Sequence, residues 1–280
     1  MREIPVSQIT DAVKDAVTEV NYALSDDMKA ALDRAFERES APIAQKILGQ
    51  LEDNLVAARE DVVPICQDTG MAVIFLDIGQ DVHFTGGDIT EAVNLGVSRG
   101  YTEGYLRKSV VSDPLIRENT GDNTPAIIHF SLVPGDKVTI TACPKGFGSE
   151  NMSRVFMLKP ADGVDGVKDA VVGAIKDAGP NACPPMVVGV GVGGDFEKCA
   201  LMAKRALTRP VGEGSSLPHI RTLEEDILKE ANALGIGPAG LGGDTTVLAV
   251  NVETYPTHIA GLPVGVNICC HVNRHCVKVI

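Results

Sequence analysis

Three cysteines of this 280-residue chain stand where side chains do chemistry, at junctions between loops and strands. Cys66 lies in Pro64-Ile65-Cys66-Gln67-Asp68-Thr69-Gly70 and Cys183 in Gly179-Pro180-Asn181-Ala182-Cys183-Pro184-Pro185. Cys270 follows an apolar run, Asn267-Ile268-Cys269-Cys270-His271. They are too far apart in sequence for any local CxxC pairing. One reading makes them small core residues, a common fate of free cysteine. The other makes them ligands of an iron–sulfur cluster held by distant loops. Most such clusters take four thiolates. With three, one iron keeps an open position and can polarise a substrate hydroxyl so that it leaves as water. That chemistry is dehydration without net oxidation.

Asp68 comes two residues after Cys66, close enough to exchange a proton at the same site. A loop cap is the plain alternative, since Asp readily bonds neighbouring backbone N–H groups. Lys145-Gly146-Phe147-Gly148-Ser149-Glu150-Asn151 is a Gly-rich loop able to turn amides toward an anion, or simply a tight turn. Gly189-Val190-Gly191-Val192-Gly193-Gly194 satisfies the GxGxxG dinucleotide pattern. The second strand and acidic residue that should follow are replaced by the loop-rich RPVGEGSSLPH, so close helix–strand packing or approach to a cluster is the better reading. Cys270-His271 with His275-Cys276 lacks the paired spacings of a zinc site.

The elements that must position these residues follow from periodicity. Residues 6–60 read as helices, one opened by Ser25-Asp26-Asp27. MAVIFLDIG after the first cysteine is a buried strand, and DITEAVNLGVSRGYTEGYLRKSVV is helical with glycine interruptions. PAIIHFSLV and DKVTITACP alternate around Pro134-Gly135-Asp136, which predicts a β-hairpin. Helices follow over GVKDAVVGAIKDAG, DFEKCALMAKRAL and TLEEDILKEANALG, and strands over PPMVVGVGVGG, TTVLAVNVET and GLPVGVNIC. The fold class is mixed α and β: a helical portion over 1–60 packed on a sheet-containing body over 61–280, forming a single domain with the site in converging loops.

Composition narrows the partners. Hydrophobic residues make up 44% and charged residues 22%, with no Trp, so Val, Ile, Leu and Ala must build the core. The net charge of −12 argues against nucleic acid and against an anionic membrane surface. No apolar run is long enough to span a bilayer and no signal-peptide core opens the chain, which predicts a cytoplasmic protein. Seven cysteines are too few, and odd in number, for a disulfide scaffold.

VVPICQDTGMAVIFLDIG (62–79), ACPKGFGSENMS (142–153), NACPPMVVGVGVGG (181–194) and THIAGLPVGVNICCHVNRH (257–275) together resemble the α subunit of two-subunit, iron–sulfur (class I) fumarate hydratases. The L-tartrate dehydratase α subunit is a close relative of that family. The resemblance implies a [4Fe–4S] cluster on Cys66, Cys183 and Cys270, with one iron not ligated by cysteine. Cys269 directly precedes the third of these; Cys143, Cys199 and Cys276 match no ligand position. It implies Asp68 as catalytic acid/base, with Gln67, Arg107, Gly146 or Gly148, and His258 as substrate contacts. A guanidinium at 107 suits a dicarboxylate because its fork binds both oxygens. The expected activity is reversible hydration of fumarate to L-malate with a separate β subunit, as (αβ)2, and little activity from this chain alone. L-tartrate dehydration, or a non-catalytic iron–sulfur sensor, stands as the alternative.

Overall fold

From Met1 to Ile280, all described by the computed structural model, the chain runs through ten strands and eight α-helices. In order these are β1 (Arg2–Pro5), α1 (Val6–Tyr22), α2 (Asp26–Arg38), α3 (Pro42–Glu60), β2 (Val73–Gly79), β3 (Val82–Thr85), α4 (Ile89–Glu103), β4 (Ile127–Val133) and β5 (Val138–Ala142). The single turn α5 (Phe147–Glu150) precedes β6 (Arg154–Leu158), α6 (Gly163–Ala178), β7 (Met186–Gly194), α7 (Phe196–Ala206), α8 (Pro218–Ala233), β8 (Val247–Thr257), β9 (Leu262–Cys269) and β10 (Cys276–Val279). The mixed α and β class is as expected. No helix is long and apolar enough to cross a membrane.

The chain forms two compact units, one of Met1–Ser25, Leu55–Phe147 and Arg274–Ile280, the other of Asp26–Asn54 and Gly148–Asn273. The helical first 60 residues are thus divided between the two units. A change of sequence texture marks a change of secondary structure; it does not say which elements pack together.

In the first unit a four-stranded sheet has the order β10-β5-β2-β4, with β1 and β3 a separate parallel pair. Ile74, Leu76, Ile140 and Ala142 point to one face and meet Ile9, Val13 and Val17 of α1 and Val93, Val97 and Tyr101 of α4. The glycine interruptions in α4 let these helices touch. A Cβ on Gly96 would lie 2.6 Å from the Thr10 carbonyl oxygen, and one on Gly100 would lie 2.4 Å from Val17 Cγ2. The helical reading of 88–111 is too long, because α4 stops at Gly104 and Arg107 lies beyond it.

The predicted hairpin is absent. β4 and β5 flank β2 instead of pairing with each other: β4 runs parallel to β2 and β5 antiparallel. The Pro134-Gly135-Asp136 connection steps across the end of β2, where Gly79 N donates to Lys137 O at 2.8 Å. A Cβ on Gly79 would meet Gly135 O at 2.4 Å, so the crossing requires glycine there. A turn signal predicts a reversal; it cannot tell that another strand occupies the space between its arms.

The second unit holds a sheet of order β6-β9-β7-β8, with β7 and β8 parallel. Val188, Val190, Val252, Val264 and Val266 form its core with Val171, Ile175 and Ile227 from α6 and α8. The other face of β7 takes α7 at very close range. Cβ atoms on Gly189 and Gly191 would sit 2.1 Å from the carbonyl oxygens of Ala203 and Cys199. The GxGxxG glycines are therefore spent on helix–strand packing. Gly191→Ala is expected to destabilise the chain by about 3 kcal/mol, since helix backbone cannot yield as a side chain would. Urea denaturation checks this, and an unchanged midpoint would mean that α7 can move aside.

The 241–246 segment is a loop leading into β8 and docked on residues 39–41. Asp244 accepts from Ser40 N at 3.0 Å and from Ser40 Oγ at 2.5 Å. Buried Glu39 in turn accepts from the amides of Ala41, Asp244 and Thr245. The Ser40 hydroxyl and amide hold the Asp244 carboxyl below its ordinary range. Asp244 thus belongs to a structural latch at the start of α3.

Candidate active site

The loop Ile65–Met71 of the first unit carries Cys66, Gln67 and Asp68, and its two ends and the carbonyls of residues 68–70 are held by hydrogen bonds. Ile65 N donates to Asn21 O of α1 at 3.0 Å, and Met71 exchanges two backbone hydrogen bonds with Lys145. The Asp68 carbonyl accepts from Arg274 Nη2 at 2.5 Å. Tyr101 Oη donates to the Thr69 carbonyl at 2.7 Å and lies 3.1 Å from that of Gly70. Asn123 Nδ2 reaches the Gly70 carbonyl at 3.2 Å, while its Oδ1 accepts from Ser109 N at 2.7 Å. Burial pushes the Tyr101 phenol well above its ordinary value, opposed by the nearby Arg274 charge, so the hydroxyl stays a donor.

This grip presents Cys66 half-buried and Gln67 exposed. It also fixes the Asp68 carboxylate. Oδ1 accepts from Gly70 N at 3.0 Å and Oδ2 from Phe147 N at 2.9 Å. A Cβ on Gly146 would come within 3.0 Å of Oδ2, so glycine at that position lets the loop close over the carboxylate. The Gly-rich loop does turn an amide toward an anion, and that anion is Asp68. Arg107 has an exposed side chain, and its carbonyl is tied to the same loop by Thr69 Oγ1 at 3.1 Å. Asp68 and Gly146 are therefore brought together, with Arg107 linked through its backbone.

The second unit carries the other predicted residues. Cys183 ends the 3-10 turn Gly179–Ala182 in a left-handed conformation, φ 52°, with its side chain exposed. Such a backbone is unfavourable for a residue with a Cβ and often marks a functional position. His271 ties the next candidate to it: its amide and its Nδ1 lie 3.3 and 3.0 Å from the Cys183 carbonyl. A carbonyl only accepts, so Nδ1 carries the proton. Burial pushes the His271 pKa down, with the Cys183 carbonyl opposing, and the ring is neutral near pH 7. Cys270 is thus half-buried beside the Cys183 loop, whereas Cys269 is buried in β9. Gly148 is exposed, and a Cβ there would meet only Asn181 O at 3.9 Å. His258 is exposed just past β8 and accepts from Ala260 N through Nδ1 at 3.1 Å, which leaves the proton on Nε2.

The partly exposed thiols of Cys66, Cys183 and Cys270 are the donor type that an iron–sulfur group takes. All three thiols lie in loops or at a strand end with some exposure, while Cys143, Cys199 and Cys269 are buried. Burial raises the thiol pKa of Cys199 and of Cys276, the latter helped by Glu19, so both resist becoming thiolates. No three His, Cys, Asp or Glu side chains gather as ligands of a single ion.

Sequence reasoning passed over Tyr101, Asn123 and Arg274 altogether and gave Lys145 no role. Lys145 is buried and its Nζ lies 3.0 Å from Gly146 O. Burial of a cation is the signal that would have singled it out, and burial is visible only after folding.

A sequence model of the fumarate hydratase (Fumerase) family matches residues 10–278. A protein of Methanocaldococcus jannaschii, provisionally named an L(+)-tartrate dehydratase subunit alpha, is 42% identical over 277 residues, 97% of each chain. The L(+)-tartrate dehydratase subunit alpha of Escherichia coli (strain UTI89) is 28% identical over 272 residues, 96% of this chain and 89% of its own. The subunit of the same name from Shigella sonnei (strain Ss046) matches to the same extent. A match this continuous covers both compact units and every loop described above, and with it the chain belongs to the fumarate hydratase family of hydro-lyases.

Proposed function

We propose that this chain is the α subunit of an iron–sulfur hydro-lyase that adds water to fumarate, giving L-malate, and removes it again, in company with a β subunit. The observation that carries this reading is the family match over residues 10–278. Cys66, Cys183 and Cys270 would hold a [4Fe–4S] cluster, which when bound supplies an iron without a cysteine ligand as Lewis acid toward the departing hydroxyl.

The chain's own residues do the rest of what it contributes. Asp68 holds the proton that leaves with the hydroxyl as water. Its two backbone donors keep the carboxylate aimed while its protonation state changes. Gln67 and Arg107, both exposed beside that loop, suit the substrate's polar groups, and a guanidinium fork suits one carboxylate. Gly146 keeps the loop close, while Gly148 and His258 are the substrate contacts proposed on the second unit. The base that takes the C3 proton belongs to the partner. The word "subunit" in the relatives' names supports such a partner, and (αβ)2 is the assembly proposed.

The same names favour a second reading with the same chemistry, in which the substrate is L(+)-tartrate and the product an enol that rearranges to a keto acid. One experiment addresses both. The anaerobically reconstituted chain is assayed with fumarate, L-malate and L(+)-tartrate, alone and with its β partner. Turnover should rise by at least about a hundredfold on adding the partner. The larger kcat/KM then names the substrate. Full activity from the chain alone would sink the divided site, and a cluster-loaded complex inert toward all three would sink the hydro-lyase reading.

A further inference from the structure

Arg274 is a buried cation that the roles assigned so far leave unused. The residue is 3% exposed, and its side chain donates one hydrogen bond, from Nη2 to the Asp68 carbonyl. Nε and Nη1 are buried without a hydrogen-bond partner, and no carboxylate forms an ion pair with it. Whichever Nη2 hydrogen is spent on Asp68, one complete two-donor edge of the fork remains. Orphaned donors on a buried charge are costly and need a reason. A methionine of similar length would fill the same space without that penalty.

We infer that Arg274 is a positioning residue for the acid/base loop, an inference that rests on the reading of Asp68 proposed above. Three consecutive carbonyls, those of Asp68, Thr69 and Gly70, are gripped by buried side chains from separate segments: Arg274, Tyr101 and Asn123. Arg274 makes the charge-assisted bond of the three and holds the residue whose carboxylate reacts. A charge-assisted bond is about twice as strong as a neutral one. Release of the Asp68 carbonyl would let the peptide unit between residues 68 and 69 rotate. The Gly70 and Phe147 amides would then lose their fixed acceptor, and the carboxylate its aim. Arg274 touches no reacting atom in this account; it acts through Asp68.

The test compares wild type, Arg274→Lys and Arg274→Met as full chains, by hydrogen exchange, iron content and, in the complex with the β partner, steady-state kinetics. In Arg274→Met the Gly70 and Phe147 amides should exchange at least about tenfold faster, with other amides of the first unit unchanged. The kcat should fall about a hundredfold with KM within about threefold and iron per chain preserved. Arg274→Lys should fall between, keeping the charge but losing the fork. Unchanged exchange over 65–72 in Arg274→Met overturns the inference, whatever the activity. So does faster exchange spread over the whole unit together with normal kcat, which would make Arg274 a packing residue only. Should Arg274→Met fail to fold, the lysine variant decides: wild-type exchange and wild-type kcat in it overturn the inference. If the wild-type complex itself shows no turnover, the hydro-lyase reading has failed, and the exchange comparison still decides the role of Arg274.

Discussion

Serine in place of Cys66 is expected to strip the reconstituted chain of most of its iron and to abolish measurable turnover in the complex. The wild-type chain should hold about four iron and four acid-labile sulfide, and the variant well below one of each. Soft thiolate ligands select iron–sulfur clusters, and a hydroxyl is no substitute. With only three thiolates available, the loss of one removes a third of the anchoring. The iron would supply several kcal/mol of charge stabilisation, so kcat should fall by about a thousandfold or more. Folding should survive, because Cys66 is half-buried in a loop whose backbone is held by Asn21, Tyr101, Asn123, Lys145 and Arg274. Cys143→Ser and Cys269→Ser serve as controls. Both thiols are buried, so these variants should lose stability while keeping iron. Iron loss in Cys269→Ser with retention in Cys270→Ser would reassign the third ligand. Zinc, or no metal at all in soluble folded wild type, would return all three cysteines to a structural role.

Asp68→Asn should lower kcat by about 10²- to 10⁴-fold with iron retained, the range expected for removal of a general acid. The substitution is close in shape and cannot carry the proton. It also has a structural consequence, because both carboxylate oxygens accept backbone N–H bonds, from Gly70 and Phe147. The asparagine amide must turn its NH2 toward one of those donors, at a cost of about 1–3 kcal/mol. Kinetics and melting temperature therefore have to be read together. A variant that is destabilised yet turns over within about tenfold of wild type would make Asp68 a loop cap. A variant folded, iron-loaded and slow with little change in KM would make it the acid.

Much of this was legible in the chain. MAVIFLDIG announces a buried strand because every residue but Asp77 is apolar or small, and β2 is the strand beside which the Cys66 loop ends. Asp68 could be read either as a proton donor or as a cap. The cap reading describes a real feature, since its carboxylate binds two loop amides, and the proton-donor reading is what Asp68→Asn tests. The GxGxxG glycines, with no acidic strand after them, read as a helix–strand packing device, and their close approach to α7 bears that out.

What was not legible shares a cause. The alternation of PAIIHFSLV and DKVTITACP identifies two strands, and both exist; nothing local says that β2 lies between them. The helical texture of 1–60 is real, yet α1 and α2 belong to different compact units. Arg274 and Asp68 are far apart in the chain and bonded in space.

The sequence by itself determined most of the elements and the family, and it proposed the residues with chemistry to offer. Those depend on side-chain type, on periodicity and on spacing within a few residues, where chain connectivity already holds the parts near one another. Only the tertiary structure decided strand neighbours, the division into units, and the clamp of Tyr101, Asn123 and Arg274 on the Asp68 loop. These come from contacts between distant segments, whose loop-closure entropy is offset by burying apolar surface and satisfying backbone groups all at once. A local window of sequence carries no record of that cooperative choice, which is made when the chain folds.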